Sequence, residues 1–291
     1  MKRIAIIGVK GFIGRHLNWF FKTRLGITPE CYDIVESEEA HYHKVDMLNK
    51  ESVSEISLDV DYIFYMTGLT GTRTGFDQYG TFLKVNELTL LNLLDAIRRS
   101  SYRPKIIFPS SRLVYKGVDK ALREDDEKDA RTIYAANKIA CESYLKAYNY
   151  NFDIPFTVFR ICVPYGNMLD NNYSFGTIGF FVKTASSGKD ITLYGGGTVK
   201  RTFTHLEDLC YQMIMGALNP ASDNRIFNIG GETYSLKDAA TLIARHYGVN
   251  VTAVSWPDAD LRLESNHTYF DDSLIQQLLG GYTYKHSLGE I

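Results

Sequence analysis

Short apolar runs alternate with longer amphipathic segments through the first half of the chain. Short runs predict buried strands, and apolar residues that recur every three or four positions predict helices. In residues 81–100, Leu83, Leu90, Leu91, Leu94 and Ile97 form one apolar stripe at near-helical spacing. The predicted strands are 3–7, 31–35, 62–66, 106–109 and 156–161, and the predicted helices are 14–25, 81–100 and 132–150.

Strands that alternate with helices indicate βαβ units, so we predict an α/β fold with a doubly wound parallel sheet. The pattern changes after Pro164, where residues 165–197 are rich in Gly, Asn and Ser. Two more strands (202–204 and 225–229) and two more helices (206–218 and 236–247) are predicted beyond it. We therefore expect a main domain of residues 1–164, to which 202–230 return, and a smaller region formed by 165–201 and 231–291.

Charge and hydropathy exclude two classes of partner. The 291 residues carry 32 Lys and Arg against 34 Asp and Glu, a net charge of −2 with no basic block. Nucleic-acid phosphates require clustered basic side chains, so we expect no nucleic-acid partner. The apolar run at 4–7 ends at Gly8 and Lys10 and reads as a strand, not a signal peptide. No run approaches the roughly 18 apolar residues that cross a bilayer, so we expect no membrane partner.

The four cysteines are Cys31, Cys141, Cys162 and Cys210, and none lies close to another in sequence. This spacing excludes a disulfide scaffold and a zinc site built on neighbouring cysteines, so we expect no metal. It also fits a reducing environment, and the expected location is cytoplasmic.

A glycine-rich turn follows the first predicted strand and opens the first predicted helix. Gly8, Gly11 and Gly14 have the spacing that permits a tight turn, close approach of a pyrophosphate and close helix packing. Asp33 lies within the second predicted strand, where a carboxylate binds the adenosine ribose and disfavours a 2′-phosphate. Lys10, beside the turn, favours NADP instead, because it places a positive charge next to the phosphate-binding loop. We predict a dinucleotide-binding domain with NAD as cofactor and NADP as the alternative.

Tyr134 and Lys138 lie four residues apart, on one face of a predicted helix. A nearby ammonium stabilises a phenolate, so this pair would lower the pKa of Tyr134 toward that of a base. With 20 tyrosines in the chain, one such pair also arises by chance. Ser111 favours the chemical reading, because it follows a predicted parallel strand at the edge where such sheets bind ligands.

Together these features resemble the extended short-chain dehydrogenase/reductase family, the NAD-dependent nucleotide-sugar epimerases and dehydratases. GxxGxxG matches Gly8, Gly11 and Gly14, YxxxK matches Tyr134 and Lys138, and the catalytic Ser/Thr matches Ser111. Segments 160–166, 201–208 and 227–230 also match in order. The resemblance implies a Rossmann-like fold with a smaller C-terminal substrate-binding region. By position it implies cofactor contacts at Phe12, Ile13, Asp46, Met47, Thr67, Gly68, Leu69, Asn86, Tyr134 and Lys138, and substrate contacts at Ser111, Arg112, Tyr194 and Arg201.

Two departures from the family pattern bear on the reaction. The dehydratase branch has Asp-Glu beside its catalytic Thr, whereas Arg112 and Leu113 follow Ser111 here, so a 4,6-dehydratase is disfavoured. Val163 replaces the Asn of the RxxN segment, which removes a substrate hydrogen bond. Arg112 would place a positive charge near the sugar pocket, suited to a hydroxylated or an acidic substrate.

The resemblance implies an NAD-dependent epimerase of a nucleotide-sugar that proceeds through a keto-sugar. Tyr134 would remove the hydroxyl proton, Ser111 would order that hydroxyl, and Lys138 would lower the pKa of Tyr134 and fix the nicotinamide ribose. The alternatives are an NAD(P)H-dependent keto-sugar 4-reductase and a non-catalytic cofactor-sensing protein on the same fold. Helices 81–100 and 132–150 resemble the pair that forms a homodimer in this family.

Overall fold

The computed structural model describes residues 2–170 and 176–290. Seven of its strands form one parallel sheet in the order β10-β6-β5-β4-β1-β2-β3, and the others form a three-stranded sheet β11-β9-β7 and a pair β12-β8. The strands are β1 (Ile4–Ile7), β2 (Glu30–Asp33), β3 (Tyr42–Lys44), β4 (Tyr62–Tyr65), β5 (Lys105–Ser111), β6 (Phe156–Ile161), β7 (Val163–Tyr165), β8 (Ile191–Tyr194), β9 (Lys200–His205), β10 (Arg225–Asn228), β11 (Glu232–Ser235) and β12 (Val251–Val254).

Helices cover both faces of the seven-stranded sheet. They are α1 (Phe12–Arg24), α2 (Lys50–Val53), α3 (Thr74–Asp77), α4 (Tyr79–Leu83), α5 (Thr89–Arg99), α6 (Ile133–Phe152), α7 (Gly176–Ser186), α8 (Leu206–Leu218), α9 (Leu236–Tyr247), α10 (Asp258–Leu261) and α11 (Ser273–Leu279). A π-helical turn, Lys84–Leu88, joins α4 to α5. Short 3₁₀ turns lie at Arg112–Val114, Gly195–Gly197, Pro220–Ser222 and Leu288–Glu290.

Strand β1 shows why the sheet is buried on both sides. Ile4 and Ile6 pack in a core with α1, α8 and α11, whereas Ala5 and Ile7 pack in a second core with α5 and α6. Successive strand residues point to opposite faces, so an unbroken apolar run fits a strand covered on both faces. The α/β doubly wound prediction is therefore confirmed.

The smaller region has its own core, in which α7 and α9 pack on the small sheet through residues such as Ile178, Phe203 and Ile243. Strand β9 belongs to this small sheet, whereas β10 pairs in the main sheet and α8 packs against it. The chain thus crosses between the two parts more often than the predicted division at 164, 202 and 230 supposes. That division stays a prediction.

The predicted elements agree with the structure in type and differ at several ends. Residues 81–100 are an α–π–α succession and not one uniform helix, and α1 begins at Phe12, two residues before its predicted start. The hydrophobic pattern alone did not predict β3, β7, β8, β11 and β12. These strands have only three or four residues, which is too short for a clear apolar pattern. Within the described ranges, no helix is long and apolar enough to cross a membrane.

Candidate active site

A cavity of about 380 Å³ opens at the carboxyl ends of β1, β4 and β5. From β1 the chain passes to β2 and β3 on one side, and from β4 it passes to β5 and β6 on the other. Parallel sheets bind ligands at such a reversal of strand order. The lining residues are Gly11, Phe12, Ile13, Met66, Thr67, Gly68, Leu69, Thr70, Pro109, Ser110, Ser111, Arg112, Leu113, Tyr134, Lys138, Ile161, Cys162, Val163, Pro164, Gly176 and Thr177.

The glycine turn between β1 and α1 has no room for side chains. A Cβ on Gly14 would lie 2.2 Å from the carbonyl oxygen of Gly8, and a Cβ on Gly8 would lie 2.7 Å from the Thr67 nitrogen. Gly8 also has a φ of +84°. Gly11 is the N-cap residue of α1, and Phe12 and Ile13 of the first helical turn line the cavity, so the positive end of the helix dipole lies at the cavity edge. This cradle fits the pyrophosphate of a dinucleotide.

Asp33 and Lys10 lie side by side, and their contacts resolve the opposing indications of the sequence. The carboxylate of Asp33 accepts a 2.8 Å hydrogen bond from the Lys10 main-chain N–H, which holds it beside the glycine turn. The Lys10 ammonium points away and pairs with Glu39 and with the Ser37 hydroxyl. Its charge is therefore neutralised within the chain, and the residues around Asp33 fit NAD better than NADP.

Ser111, Tyr134 and Lys138 line the same cavity, as the sequence predicts. Ser111 ends β5, and Tyr134 lies in the first turn of α6, which Thr132 caps by accepting a 3.1 Å hydrogen bond from the Ala135 N–H. Lys138, one turn further, donates to the Pro109 carbonyl oxygen at 2.7 Å. Tyr134 and Lys138 thus lie beside the end of β5 that carries Ser111.

Burial controls the pKa values of this group. It raises the pKa of Tyr134 to about 12, against the opposing effects of Ser111 and the positive charge of Arg112. It lowers the pKa of Lys138 to about 8. The Lys138 ammonium lies 4.4 Å from the centre of the Phe108 ring and 5.7 Å from that of Tyr134. The expectation that Lys138 lowers the pKa of Tyr134 is therefore not met in the protein without ligands. The cation that lowers this pKa is Arg112.

A buried ion pair fixes the strand and helix that carry these residues. Arg160 on β6 binds both carboxylate oxygens of Glu142 on α6, with N–O distances of 2.9 and 2.7 Å. Ser110, next to Ser111, donates to the same carboxylate at 2.6 Å. The ends of β5, β6 and α6 are thereby joined through one group, which the sequence reasoning did not identify.

Asn86 does not line the cavity, although a cofactor contact was expected there. Its side-chain oxygen accepts a 2.7 Å hydrogen bond from the Leu69 N–H, and its amide donates to Asn137. Thr67, Gly68 and Leu69, by contrast, do line the cavity. Asn86 therefore holds the loop that lines the site and lies behind it.

Asp46 and Met47 also lie outside the cavity lining. The carboxylate of Asp46 accepts a 2.9 Å hydrogen bond from the Leu48 N–H and so caps its own turn after β3. The Met47 side chain is buried in the core with α5. The apolar side chain turns inward because the core there offers it a dry environment.

The two predicted contacts for the nucleotide end are not in the cavity either. Arg201 is 2% exposed, and its guanidinium forms a 2.6 Å ion pair with Glu264. A carboxylate of the chain thus neutralises Arg201, and its role as a substrate contact stays a prediction. Tyr194 is 45% exposed and packs against Trp256, outside the lining residues. Of the two arginines expected to contact the substrate, Arg112 lines the cavity and Arg201 does not.

Residues 4–230 match the model of the NAD dependent epimerase/dehydratase family. The chain belongs to this family. Membership confirms NAD as the cofactor class and makes the protein an enzyme of the extended short-chain dehydrogenase/reductase type. It also accounts for the order of the matching motifs along the chain, from the glycine turn to segment 227–230.

Curated relatives of this chain are named for reactions of nucleotide-sugars. A UDP-N-acetyl-alpha-D-glucosaminuronate decarboxylase of Bacillus cytotoxicus is 27% identical over 247 residues, which cover 79% of this chain and 75% of the relative. A UDP-glucuronate 4-epimerase of Thermodesulfobacterium geofontis is 25% identical over 256 residues, covering 77% and 78%.

Solved structures share the fold. The UDP-glucuronic acid 4-epimerase of Bacillus cereus, in complex with UDP-glucuronic acid and NAD, superposes with a TM-score of 0.83 at 21% identity, covering 99% of this chain and 96% of that one. The UDP-glucose 4-epimerase of Thermus thermophilus, in complex with NAD, gives 0.81 at 21% identity, covering 98% and 94%.

Proposed function

We propose that the protein is an NAD-dependent epimerase that acts on a nucleotide-sugar. The observation that carries the proposal is that Ser111, Tyr134 and Lys138 line one cavity together with Gly11 of the glycine turn. A proton acceptor, a hydroxyl that orients and a cation therefore share a space with the cradle for the cofactor diphosphate. The relatives named for 4-epimerases support the same reaction class.

NAD bound at the glycine turn would supply reversible hydride transfer at the sugar carbon, so no cofactor would be consumed. Tyr134, as phenolate, takes the proton from the hydroxyl on that carbon, and the carbon–oxygen bond becomes a ketone. Ser111 donates to this oxygen and orients it. After the keto-sugar has turned over, Tyr134 would return the proton to the same oxygen, and one centre would be inverted without net oxidation.

The raised pKa of Tyr134 makes this role depend on nearby positive charge. Arg112 lies beside the phenol and favours the phenolate, and the cationic ring of oxidised nicotinamide would act in the same direction. Gly8, Gly11, Phe12, Ile13 and Gly14 would hold the diphosphate, Asp33 the adenosine ribose, and Lys138 the nicotinamide ribose. Thr67, Gly68 and Leu69, which line the cavity, would form the wall next to the nicotinamide.

The second candidate is a keto-sugar 4-reductase that uses NADPH once. The pairing of Lys10 with Glu39 weighs against it, because the Lys10 ammonium is then not free to bind a 2′-phosphate. A cofactor-sensing role would need the glycine turn alone and leaves Ser111 and Tyr134 unexplained.

One experiment separates these candidates. The purified protein is denatured, its released cofactor is identified by chromatography, and the native protein is incubated with a panel of UDP- and dTDP-sugars read by proton NMR. We expect NAD and an equilibrium mixture of two sugars that differ at one centre. Stoichiometric NADPH oxidation with a keto-sugar would replace the epimerase by the reductase.

We further propose that two copies associate through α4–α5 and α6. These helices expose large apolar side chains without cover in the single chain: Tyr79 is 67%, Leu83 53% and Tyr150 89% exposed. Such a surface is typical of an interface. The division into a cofactor-binding part (1–164 with 202–230) and a substrate-binding part also remains proposed, supported by Gly176 and Thr177 in the cavity wall.

A further inference from the structure

Arg112 lies in the wall of the cavity, directly after Ser111. Its Nη1 donates 2.9 Å hydrogen bonds to the hydroxyls of Ser265 and Thr268, both of which are buried. Its Nε and Nη2 make no hydrogen bond to any residue of the described parts of the chain. The guanidinium is thus held on one side by the protein, and two of its donor nitrogens remain available on the other.

The charge of Arg112 is not neutralised by the chain. Arg201 lies near enough to lower the pKa of Arg112, which burial and this repulsion together bring to about 10, so the side chain stays cationic at neutral pH. Glu264 is the one carboxylate that acts on both arginines, and it is bound to Arg201 at 2.6 Å. Among residues 2–170 and 176–290, no carboxylate lies within 4.0 Å of Arg112.

The other groups that face Arg112 carry no charge. Burial raises the pKa of the Cys162 thiol, and the Tyr134 hydroxyl is likewise neutral in the protein chain. Arg112 is partly buried and its guanidinium is desolvated, and such a cation without a counter-ion is unfavourable unless a ligand supplies one. The physical requirement is therefore an anionic group in the cavity next to Ser111.

The position of that group on the ligand follows from its neighbours. Ser111 and Tyr134 act on one hydroxyl of the sugar, and Arg112 is adjacent to the first in sequence and acts electrostatically on the second. An anionic group bound by Arg112 would therefore be a substituent of the sugar ring that carries this hydroxyl. It would not be the diphosphate, which the sugar ring separates from the reacting carbon. Two parallel donors on one guanidinium match the two oxygens of a carboxylate.

We propose that the substrate is a nucleoside diphosphate hexuronate, a nucleotide-sugar whose ring bears a carboxylate, and that Arg112 binds this carboxylate. The inference rests on the proposed function and names its substrate class. It makes Arg112 the residue that selects an acidic sugar over its neutral counterpart.

The test uses the NAD-loaded enzyme with UDP-glucuronate and UDP-glucose, which differ only at C6 of the sugar, and repeats it with the dTDP sugars. We expect wild type to prefer the acid. Arg112→Met should lower kcat/KM for the acid on the order of 10- to 100-fold, the loss of a charge-assisted hydrogen-bonded pair. The value for the neutral sugar should fall by a clearly smaller factor, because that sugar loses only the effect of Arg112 on the Tyr134 phenol, and Arg112→Lys should lie between wild type and Arg112→Met.

Arg131→Gln is the matched control, because Arg131 donates to the Glu264 carbonyl oxygen in the same region but does not line the cavity. It should leave the acid-to-neutral ratio unchanged. Circular dichroism and thermal unfolding establish whether each variant is folded. If Arg112→Met does not fold, Arg112→Lys still provides the comparison of acid and neutral sugars.

Several outcomes would overturn the inference. Equal losses for both sugars would mean that Arg112 acts only through Tyr134, and a wild-type preference for the neutral sugar would exclude an acid subsite. If no sugar is turned over, the proposed reaction fails, and calorimetric binding of the same compounds decides the inference separately. Tighter binding of the acid that Arg112→Met abolishes supports it, whereas equal binding of acid and neutral sugars rejects it.

Discussion

The side-chain oxygen of Asn86 accepts a 2.7 Å hydrogen bond from the main-chain N–H of Leu69 and so fixes the loop after β4 from behind. Asn86→Ala leaves this N–H without a partner. We expect a stability loss of about 1–3 kcal/mol and an NAD affinity weakened about tenfold, because the loop loses its anchor. Fluorescence titration with NAD measures the affinity.

Asn92→Ala provides the comparison for that variant. Asn92 is also buried and donates to the Met47 carbonyl oxygen at 2.9 Å, away from the cavity. It should lose similar stability and keep its NAD affinity. Equal weakening of cofactor binding in both variants would show that Asn86 contributes only to general stability.

Removal of the Tyr134 hydroxyl should abolish turnover but not cofactor binding. Tyr134→Phe lacks the proposed proton acceptor and should lose at least about 100-fold in kcat. Tyr148→Phe, on the same helix but outside the cavity lining, is the control and should retain activity. Near wild-type turnover of Tyr134→Phe would remove Tyr134 from the mechanism.

Cofactor preference should depend on the pairing of Lys10 with Glu39. Wild type should bind NAD at least about tenfold more tightly than NADP, because the Asp33 carboxylate repels a 2′-phosphate. Glu39→Gln frees the Lys10 ammonium and should narrow the ratio of the two dissociation constants. Glu36→Gln, which breaks the exposed pair with Lys44, should leave the ratio unchanged. A wild-type preference for NADP would contradict the assignment.

The buried pair between Arg160 and Glu142 should be worth far more than a surface pair. Glu142→Gln leaves the Arg160 guanidinium, 2% exposed, without its counter-ion, and we expect a loss of about 3 kcal/mol or more in urea unfolding. Glu127→Gln breaks the exposed pair with Lys116 and should change stability by less than about 0.5 kcal/mol. Similar values for the two would mean that water reaches Arg160 in solution.

Association should depend on the apolar surface of α4. Light scattering coupled to gel filtration should show a dimer for wild type and a monomer for Leu83→Glu, because a buried unpaired carboxylate is unfavourable at an interface. Phe180→Glu replaces an equally exposed aromatic residue on α7 and should leave the dimer intact. A monomeric wild type would refute the proposed association.

The parts of the site that follow from local pattern were predictable from sequence. Parallel strands end at one edge, so Ser111 and the glycine turn had to meet there, and helical spacing placed Tyr134 and Lys138 on one face. The bounds of α8 and α9 likewise agree with the structure to the residue. These features depend on residues close together in the chain.

The rest depends on partners that sequence distance conceals. Arg201 is neutralised by Glu264 in a later loop, and Arg112 is held by Ser265 and Thr268 from the same loop. No periodicity shows that a basic residue will find a carboxylate elsewhere in the fold. The sequence therefore did not show that Glu264 neutralises Arg201, nor that Arg112 lacks a carboxylate partner among the described residues.

The π-helical turn Lys84–Leu88 makes this stretch of chain sensitive to length. It lets two consecutive residues, Asn86 and Glu87, both turn inward, one toward the Leu69 loop and the other toward Asn137 and Tyr144 on α6. Deletion of one residue would restore an uninterrupted helix and rotate α4 about 100° relative to α5. Leu83 would then leave the outer surface while Asn86 lost its loop, so a shorter chain would disturb the cofactor wall and the proposed subunit contact at once.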